Sequence, residues 1–184
     1  GENCPDHSAC KILLTQENLV MQTRPNPYGP ARYARGFRMD FSAVRRNETS
    51  PLAGHKTLNY GDCILEHRAA AAVGMDERIF LNTRGKIAEG TVSNLFLVSG
   101  GRIYTPALSC GLLPGVLRSY VLERYRVEEG EIDPRELGSF DECFVTNSLM
   151  GVMPVKQLGE RIFPSRETAD RLRSAYEAEK ETLK

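Results

Sequence analysis

The sequence predicts an α+β fold: a mostly antiparallel, partly closed β-sheet with flanking helices. Three observations lead there. Short segments with β-branched or aromatic members and partial alternation outnumber segments with helical spacing. Several of them are joined by tight-turn residues, which favours antiparallel neighbours. The 184 residues suffice for one good-sized core and are too few for two comfortable domains.

Taken in order, strands are expected at 11–16 (KILLTQ), 19–24 (LVMQTR) and 37–44 (FRMDFSAV). Between the second and third, the stretch from Arg24 to Gly36 is dense in Pro and Gly and is expected to be an irregular loop. Residues 59–75 are Ala-rich and run to Gly74, the pattern of a helix and its cap. Strands follow at 77–83, 93–100 and 102–106, with turns at Arg84-Gly85-Lys86 and Gly100-Gly101. A second helix is expected over 113–125, with Pro114 and Gly115 in its first turn. A strand at 141–148 and an amphipathic helix at 165–180, opened by a Ser-x-x-Thr cap, close the chain.

Composition excludes several functions. Twenty-four basic residues balance 24 acidic ones, so the chain lacks the basic footprint of a nucleic-acid binder. No run approaches the roughly 18–20 apolar residues of a membrane span. The opening GENCPDHSAC lacks the basic and apolar regions of a secretory signal. Cys4, Cys10, Cys63, Cys110 and Cys143 are odd in number and scattered, and are read as free thiols in a reducing cytoplasm. Cys4 and Cys10 have no His partners at zinc-ligand spacing, and no metal is expected. Phosphate-loop, nucleophile-elbow and HExxH motifs are lacking.

Four local segments carry the chemistry. Lys56 stands in Gly54-His55-Lys56-Thr57-Leu58-Asn59-Tyr60; alone it would be a solvated surface lysine. Thirty-three positions on comes Glu89-Gly90-Thr91-Val92-Ser93-Asn94-Leu95-Phe96, which alone would be a turn into a core strand. Cys110-Gly111-Leu112-Leu113-Pro114-Gly115-Val116-Leu117 reads as a loop entering a helix. Phe144-Val145-Thr146-Asn147-Ser148-Leu149-Met150 reads as a core strand running into a polar turn.

In this order and spacing, from Arg45 to Val155, these segments resemble the class IV (fold type IV) pyridoxal-phosphate enzymes. These include branched-chain and D-amino-acid aminotransferases and aminodeoxychorismate lyases. The resemblance implies pyridoxal 5'-phosphate as cofactor, and the large cofactor-binding domain of that fold. Lys56 then aligns with the Schiff-base lysine, which must lose its proton near neutral pH. Glu89 aligns with the carboxylate that keeps the pyridine nitrogen protonated, as an electron sink requires. The phosphate would lie on the backbone of Val116 and Leu117 at a helix start, where orphan N–H groups point outward. The family usually carries Thr where Leu117 stands, so Leu117→Thr is expected to tighten cofactor binding. Ser148 matches a second phosphate donor, and Tyr60 a tyrosine that faces the cofactor's ring hydroxyl in some members.

The turn Asn147-Ser148-Leu149-Met150-Gly151-Val152-Met153-Pro154 is similar to that of aminodeoxychorismate lyases, which make 4-aminobenzoate and pyruvate on the folate route. The expected reaction is that one. A class IV aminotransferase acting on branched-chain or D-amino acids is the alternative, and a degenerate, non-catalytic binding domain a third reading. The resemblance further implies a small amino-acid-like substrate and a homodimer. Residues 1–36 are read as the remnant of an N-terminal region with its linker, and 37–184 as the cofactor-binding domain. The family's smaller N-terminal domain is expected to be missing from this chain.

Overall fold

The computed structural model describes residues 8–182. The chain starts with a hairpin, β1 (Ser8–Leu14) and β2 (Leu19–Pro25), that forms a two-stranded sheet of its own. Ala9 at its base is buried, but Ile12, Leu14, Leu19 and Met21 further along are exposed. A short helix, α1 (Pro30–Arg35), occupies the stretch expected to be an irregular loop. Pro30 suits the first helical turn, whose N–H would be unpaired in any case. Tertiary bonds then hold it: Tyr33 Oη donates to the Met150 carbonyl at 2.7 Å, and Arg166 donates to the carbonyls of Tyr33 and Ala34.

The body follows as β3 (Phe37–Arg46), α2 (Gly61–Ala72), β4 (Glu77–Asn82), β5 (Ile87–Gly90), β6 (Asn94–Ser99), β7 (Arg102–Pro106) and α3 (Val116–Arg124). It ends with β8 (Val127–Gly130), β9 (Glu142–Asn147), β10 (Gly151–Leu158), β11 (Arg161–Ile162) and α4 (Glu167–Thr182). The strands make one sheet in the order β5-β4-β3-β10-β9-β6-β7-β8, with β11 beside β10. Five pairings are antiparallel and three are parallel. The edges curl together where Ile87 N–H of β5 donates to the carbonyl of Ile132, just past β8, at 2.9 Å.

The expected α+β class and the antiparallel majority are observed, and the parallel pairs are an addition with a clear cause. Two of them, β3–β4 and β7–β8, flank a helix, and a crossover through a helix returns the chain in the same direction. The Gly100-Gly101 hairpin forms as expected, and the turn at 84–86 forms too, but it joins β4 to β5, a strand not foreseen from the sequence, rather than to the strand at 93–100. At Gly100-Gly101 the two φ angles are +54° and +77°, a turn that only such residues make cheaply. At 82–86 the Asn82 side chain accepts the N–H groups of Arg84 and Lys86.

Strands β6 and β9 are buried on both faces, which is why their sequences are nearly continuous hydrophobic runs. One face holds Leu95, Leu97, Val145 and Met153. On the other, Phe96 and Phe144 stack at 4.8 Å beneath Val121 of α3 and Leu172 of α4. The helix expected at 113–125 begins at Val116, with Gly115 as its N-cap. The expected cap of α4 is replaced by a tertiary one: Glu142 of β9 accepts the N–H groups of Thr168 and Ala169, while Ser165 Oγ receives only that of Glu167. Cys10, Cys63, Cys110 and Cys143 are unpaired, as expected, and Cys4 lies outside the described residues. Among the described residues, no helix is long and apolar enough to cross a membrane and no metal-binding cluster occurs.

Asp76, between α2 and β4, ties α1 and β3 to this framework. It accepts both terminal nitrogens of Arg35, at 2.7 and 2.8 Å, and the N–H of Arg38 at 2.9 Å. Burial alone would raise its pKa, but these bonds and Arg35's charge outweigh it and hold the carboxyl below the usual range. A depressed carboxylate stabilises the fold above its unfolded pKa, near about 3.9, and that contribution disappears as pH falls through the folded value. Asp76→Asn is therefore expected to cost about 1.5–3 kcal/mol at pH 7. In urea titrations the two proteins should converge well below about pH 3.9.

Candidate active site

The site is built where the loop after β3, the β5–β6 turn, the end of β9 and the start of α3 meet. Lys56 lies in the loop 47–60 and its side chain is exposed. Its Nζ stands 5.7 Å from the centroid of the Tyr60 ring, at the N-cap of α2. Glu89, on β5, is 4% exposed. Its Oε1 accepts Arg46 Nε at 3.1 Å and Nη2 at 2.5 Å, and its Oε2 accepts Leu113 N–H at 3.0 Å. Burial pushes the Glu89 carboxyl's pKa above its ordinary value, and Arg46, Leu113 N–H and the charge of Lys56 offset only part of that rise. The structure thus brings Lys56, Tyr60 and Glu89 into one neighbourhood, although Lys56 itself is not buried.

The α3 entry is drawn against the sheet by Asn94, whose Nδ2 donates to the Leu113 carbonyl at 2.8 Å. A Cβ on Gly115 would collide with Asn94 Oδ1, so this approach needs a glycine. The first turn of α3 has no side-chain cap. Val116 is 73% exposed there, whereas the Leu117 side chain is buried at 4%. Thr146 of β9 pairs directly with Asn94, so the two side chains share a sheet face. Its Oγ1 is buried without a hydrogen-bond partner among the described residues. Ser148 follows in the exposed turn after β9.

Sequence reasoning missed four residues here. Arg46 follows the exposed Arg45, and only strand alternation hints that one of the pair turns inward. Glu77, wholly buried, accepts Thr91 N–H at 3.1 Å, Ser93 Oγ at 3.0 Å and the Thr91 hydroxyl, and so fixes the turn after Glu89. His67 lies 3.8 Å from it, and its pKa is raised, chiefly by hydrogen bonding to Glu77. Asn147 donates to the Val92 carbonyl at 3.1 Å and accepts the N–H groups of Leu149 and Met150, joining the end of β9 to the same turn. Little in the local pattern marks these roles, because the partners that bring each residue to the site, Glu89 for Arg46, Thr91 and Ser93 for Glu77, Glu77 for His67 and Val92 for Asn147, are distant in sequence.

The family model for amino-transferase class IV matches residues 6–158. The chain belongs to this family. It is a family that depends on pyridoxal phosphate. A probable branched-chain-amino-acid aminotransferase of Thermotoga maritima is 34% identical over 134 residues, covering 70% of this chain and 48% of that protein. A putative 4-amino-4-deoxychorismate lyase of Legionella pneumophila superposes with a TM-score of 0.78 at 30% identity, over 87% of this chain and 60% of that one. A branched-chain amino acid aminotransferase solved in complex with N-(5'-phosphopyridoxyl)-L-glutamate gives a TM-score of 0.70 at 30% identity, over 77% of this chain and 51% of that one. The chain spans about half the length of the curated relatives it matches.

Removing the Glu77 carboxylate leaves several buried donors unpaired, each worth about 1–3 kcal/mol. Glu77→Ala should therefore lower stability by at least about 2 kcal/mol in urea unfolding.

Proposed function

We propose that this chain is the cofactor-binding part of a pyridoxal-phosphate lyase that converts 4-amino-4-deoxychorismate to 4-aminobenzoate and pyruvate. The observation that carries the cofactor reading is the convergence of Lys56, a buried Glu89 and the uncapped start of α3 around one turn. The residues fit the group. An ionised carboxylate offers about four acceptor positions, and Glu89 has three filled, leaving one for a ring N–H. The orphan Thr146 Oγ1 and the free first-turn N–H groups of α3 suit an anionic ester.

Pyridoxal phosphate supplies an electron sink for the charge that develops on the substrate's α-carbon. Lys56 Nζ would hold the cofactor and, once released, would serve as the general base for the proton on the amine-bearing carbon. It would also stand ready to give a proton to the enolpyruvyl group that departs as pyruvate while the ring becomes aromatic. Glu89 would keep the ring nitrogen protonated, and Tyr60 would serve the ring hydroxyl. The N–H groups of Val116 and Leu117, with Ser148, would hold the phosphate. Because the Leu117 side chain is buried, Leu117→Thr exchanges packing for a hydroxyl, which opposes the gain that the sequence alone suggests.

The lyase is favoured by the turn at 147–150, which Asn147 closes with its own side chain rather than with a row of threonines. An aminotransferase is the second reading, favoured by the likeness to the Thermotoga protein. We further propose residues 1–36 as the end of an N-terminal region, 37–184 as the cofactor-binding domain, a cytoplasmic location and a homodimeric enzyme.

Borohydride reduction followed by peptide mapping should place the pyridoxyl group on Lys56; label elsewhere with Lys56 unmodified overturns the assignment. Lys56→Ala should lower turnover by about 10²–10⁴-fold or more. Pyruvate release from aminodeoxychorismate by the full-length gene product supports the lyase, whereas amino transfer to a keto acid without pyruvate release supports the second reading. Neither activity, with no cofactor absorbance, would leave a binding domain.

A further inference from the structure

We infer that Arg46 is a positioning residue that holds Glu89 as a carboxylate and turns its one open acceptor position toward the cofactor's ring nitrogen. This rests on the reading of Glu89 as the partner of that nitrogen. Both Arg46 donors go to the same oxygen, Oε1, and the backbone N–H of Leu113 takes one position on Oε2. Oε2 therefore keeps the free position. Its direction is set by a strand on one side and the α3 entry loop on the other.

Arg46 is itself fixed. It ends β3 opposite Asn82, and its guanidinium carbon lies 5.3 Å from the centroid of the Phe80 ring. That planar fork stacked on an aromatic face is a geometry lysine cannot reproduce. The charged and titratable groups around the pair are Lys56 from the loop and Asp62 and Cys63 from α2. Among them Arg46 is the cation in direct contact with Glu89.

The chemistry follows from desolvation. A carboxylate buried without a cation takes up a proton instead of staying charged. A protonated Glu89 would present a donor to the ring nitrogen, which would then lose its own proton, and the electron sink would weaken. Arg46 opposes this before any cofactor arrives, offsetting part of the upward push of burial, so its effect is measurable in the protein alone.

The test uses the full chain with Arg46→Met, Arg46→Lys, Glu89→Gln and the Met/Gln double variant. The first measurement is unfolding stability against pH without cofactor. In Arg46→Met the folded pKa of Glu89, already raised by burial, should rise further, so stability is full below the unfolded glutamate value of about 4.3 and falls more as pH rises through the folded one than it does with Arg46 present. The double variant should lack that fall, since no titrating group remains at position 89. The second measurement is titration with pyridoxal phosphate, followed by the visible spectrum of the bound cofactor against pH. Arg46→Met is expected to bind roughly tenfold to a hundredfold more weakly and to shift the spectrum's pH dependence as Glu89→Gln does. Arg46→Lys should recover the stability profile but not the affinity.

An Arg46→Met protein with the wild-type stability profile, beside a Glu89→Gln protein with an altered spectrum, overturns the role of Arg46 and leaves that of Glu89. A Glu89→Gln protein with an unaltered spectrum overturns the role of Glu89, whatever Arg46→Met does. If Arg46→Met does not fold, Arg46→Lys decides: wild-type affinity and spectrum in that variant overturn the proposal.

Discussion

A carboxylate that has lost its water must be satisfied by the protein, and much of this structure is arranged around that demand. Glu77, with no exposed surface, is the strictest case. It gathers the hydroxyls of Thr91 and Ser93 and the N–H of Thr91, and in doing so fixes the turn between β5 and β6. That turn sets the direction of Glu89 behind it and of Asn94 ahead of it. Asn94 in turn holds the entry to α3, and Asn147 ties the same turn to the end of β9.

Two further buried carboxylates solve the problem differently, and each solution suits its place. Glu142 is met by the first N–H groups of α4, so its burial also caps a helix and seats it on the sheet. Glu89 is met by a guanidinium fork and one backbone N–H. Glu77 and Glu142 are structural anchors. Glu89 alone faces the neighbourhood of Lys56, and it alone pairs with an arginine that keeps a charge available there. Backbone and hydroxyl donors meet most of the need of Glu142 and Glu77, with His67 beside the latter, while a group proposed to answer a charged ring benefits from a cation in direct contact behind it.

The legible part of the fold is the part with short-range causes. Gly100-Gly101 and the 82–86 turn announce their hairpins because turn geometry is set by adjacent residues. The parallel pairs β3–β4 and β7–β8 were not readable as parallel, because a crossover's direction depends on where its helix packs. Likewise α1 lies in the stretch from Arg24 to Gly36 that reads as loop, and becomes a helix through Tyr33 and Arg166, whose bonds span more than a hundred residues. The cap of α4 has the same origin: Ser165 is in view locally, but Glu142 lies 26 residues away from Thr168.

By itself the sequence determined the α+β class, the hairpins, most element positions and the family, since these rest on local propensity and on motifs of fixed order. It also singled out Lys56, Tyr60, Glu89, Val116, Leu117 and Ser148, each of which sits inside such a motif. Only the tertiary structure decided that Glu89 is clamped by Arg46 rather than by Arg45, and that Leu117 turns inward while Val116 does not. Only it brought Glu77, His67 and Asn147 to the turn beside Glu89. The reason is physical. Desolvation and the pairing it enforces belong to a place in space, and residues reach that place from strands and helices that the chain's order keeps far apart.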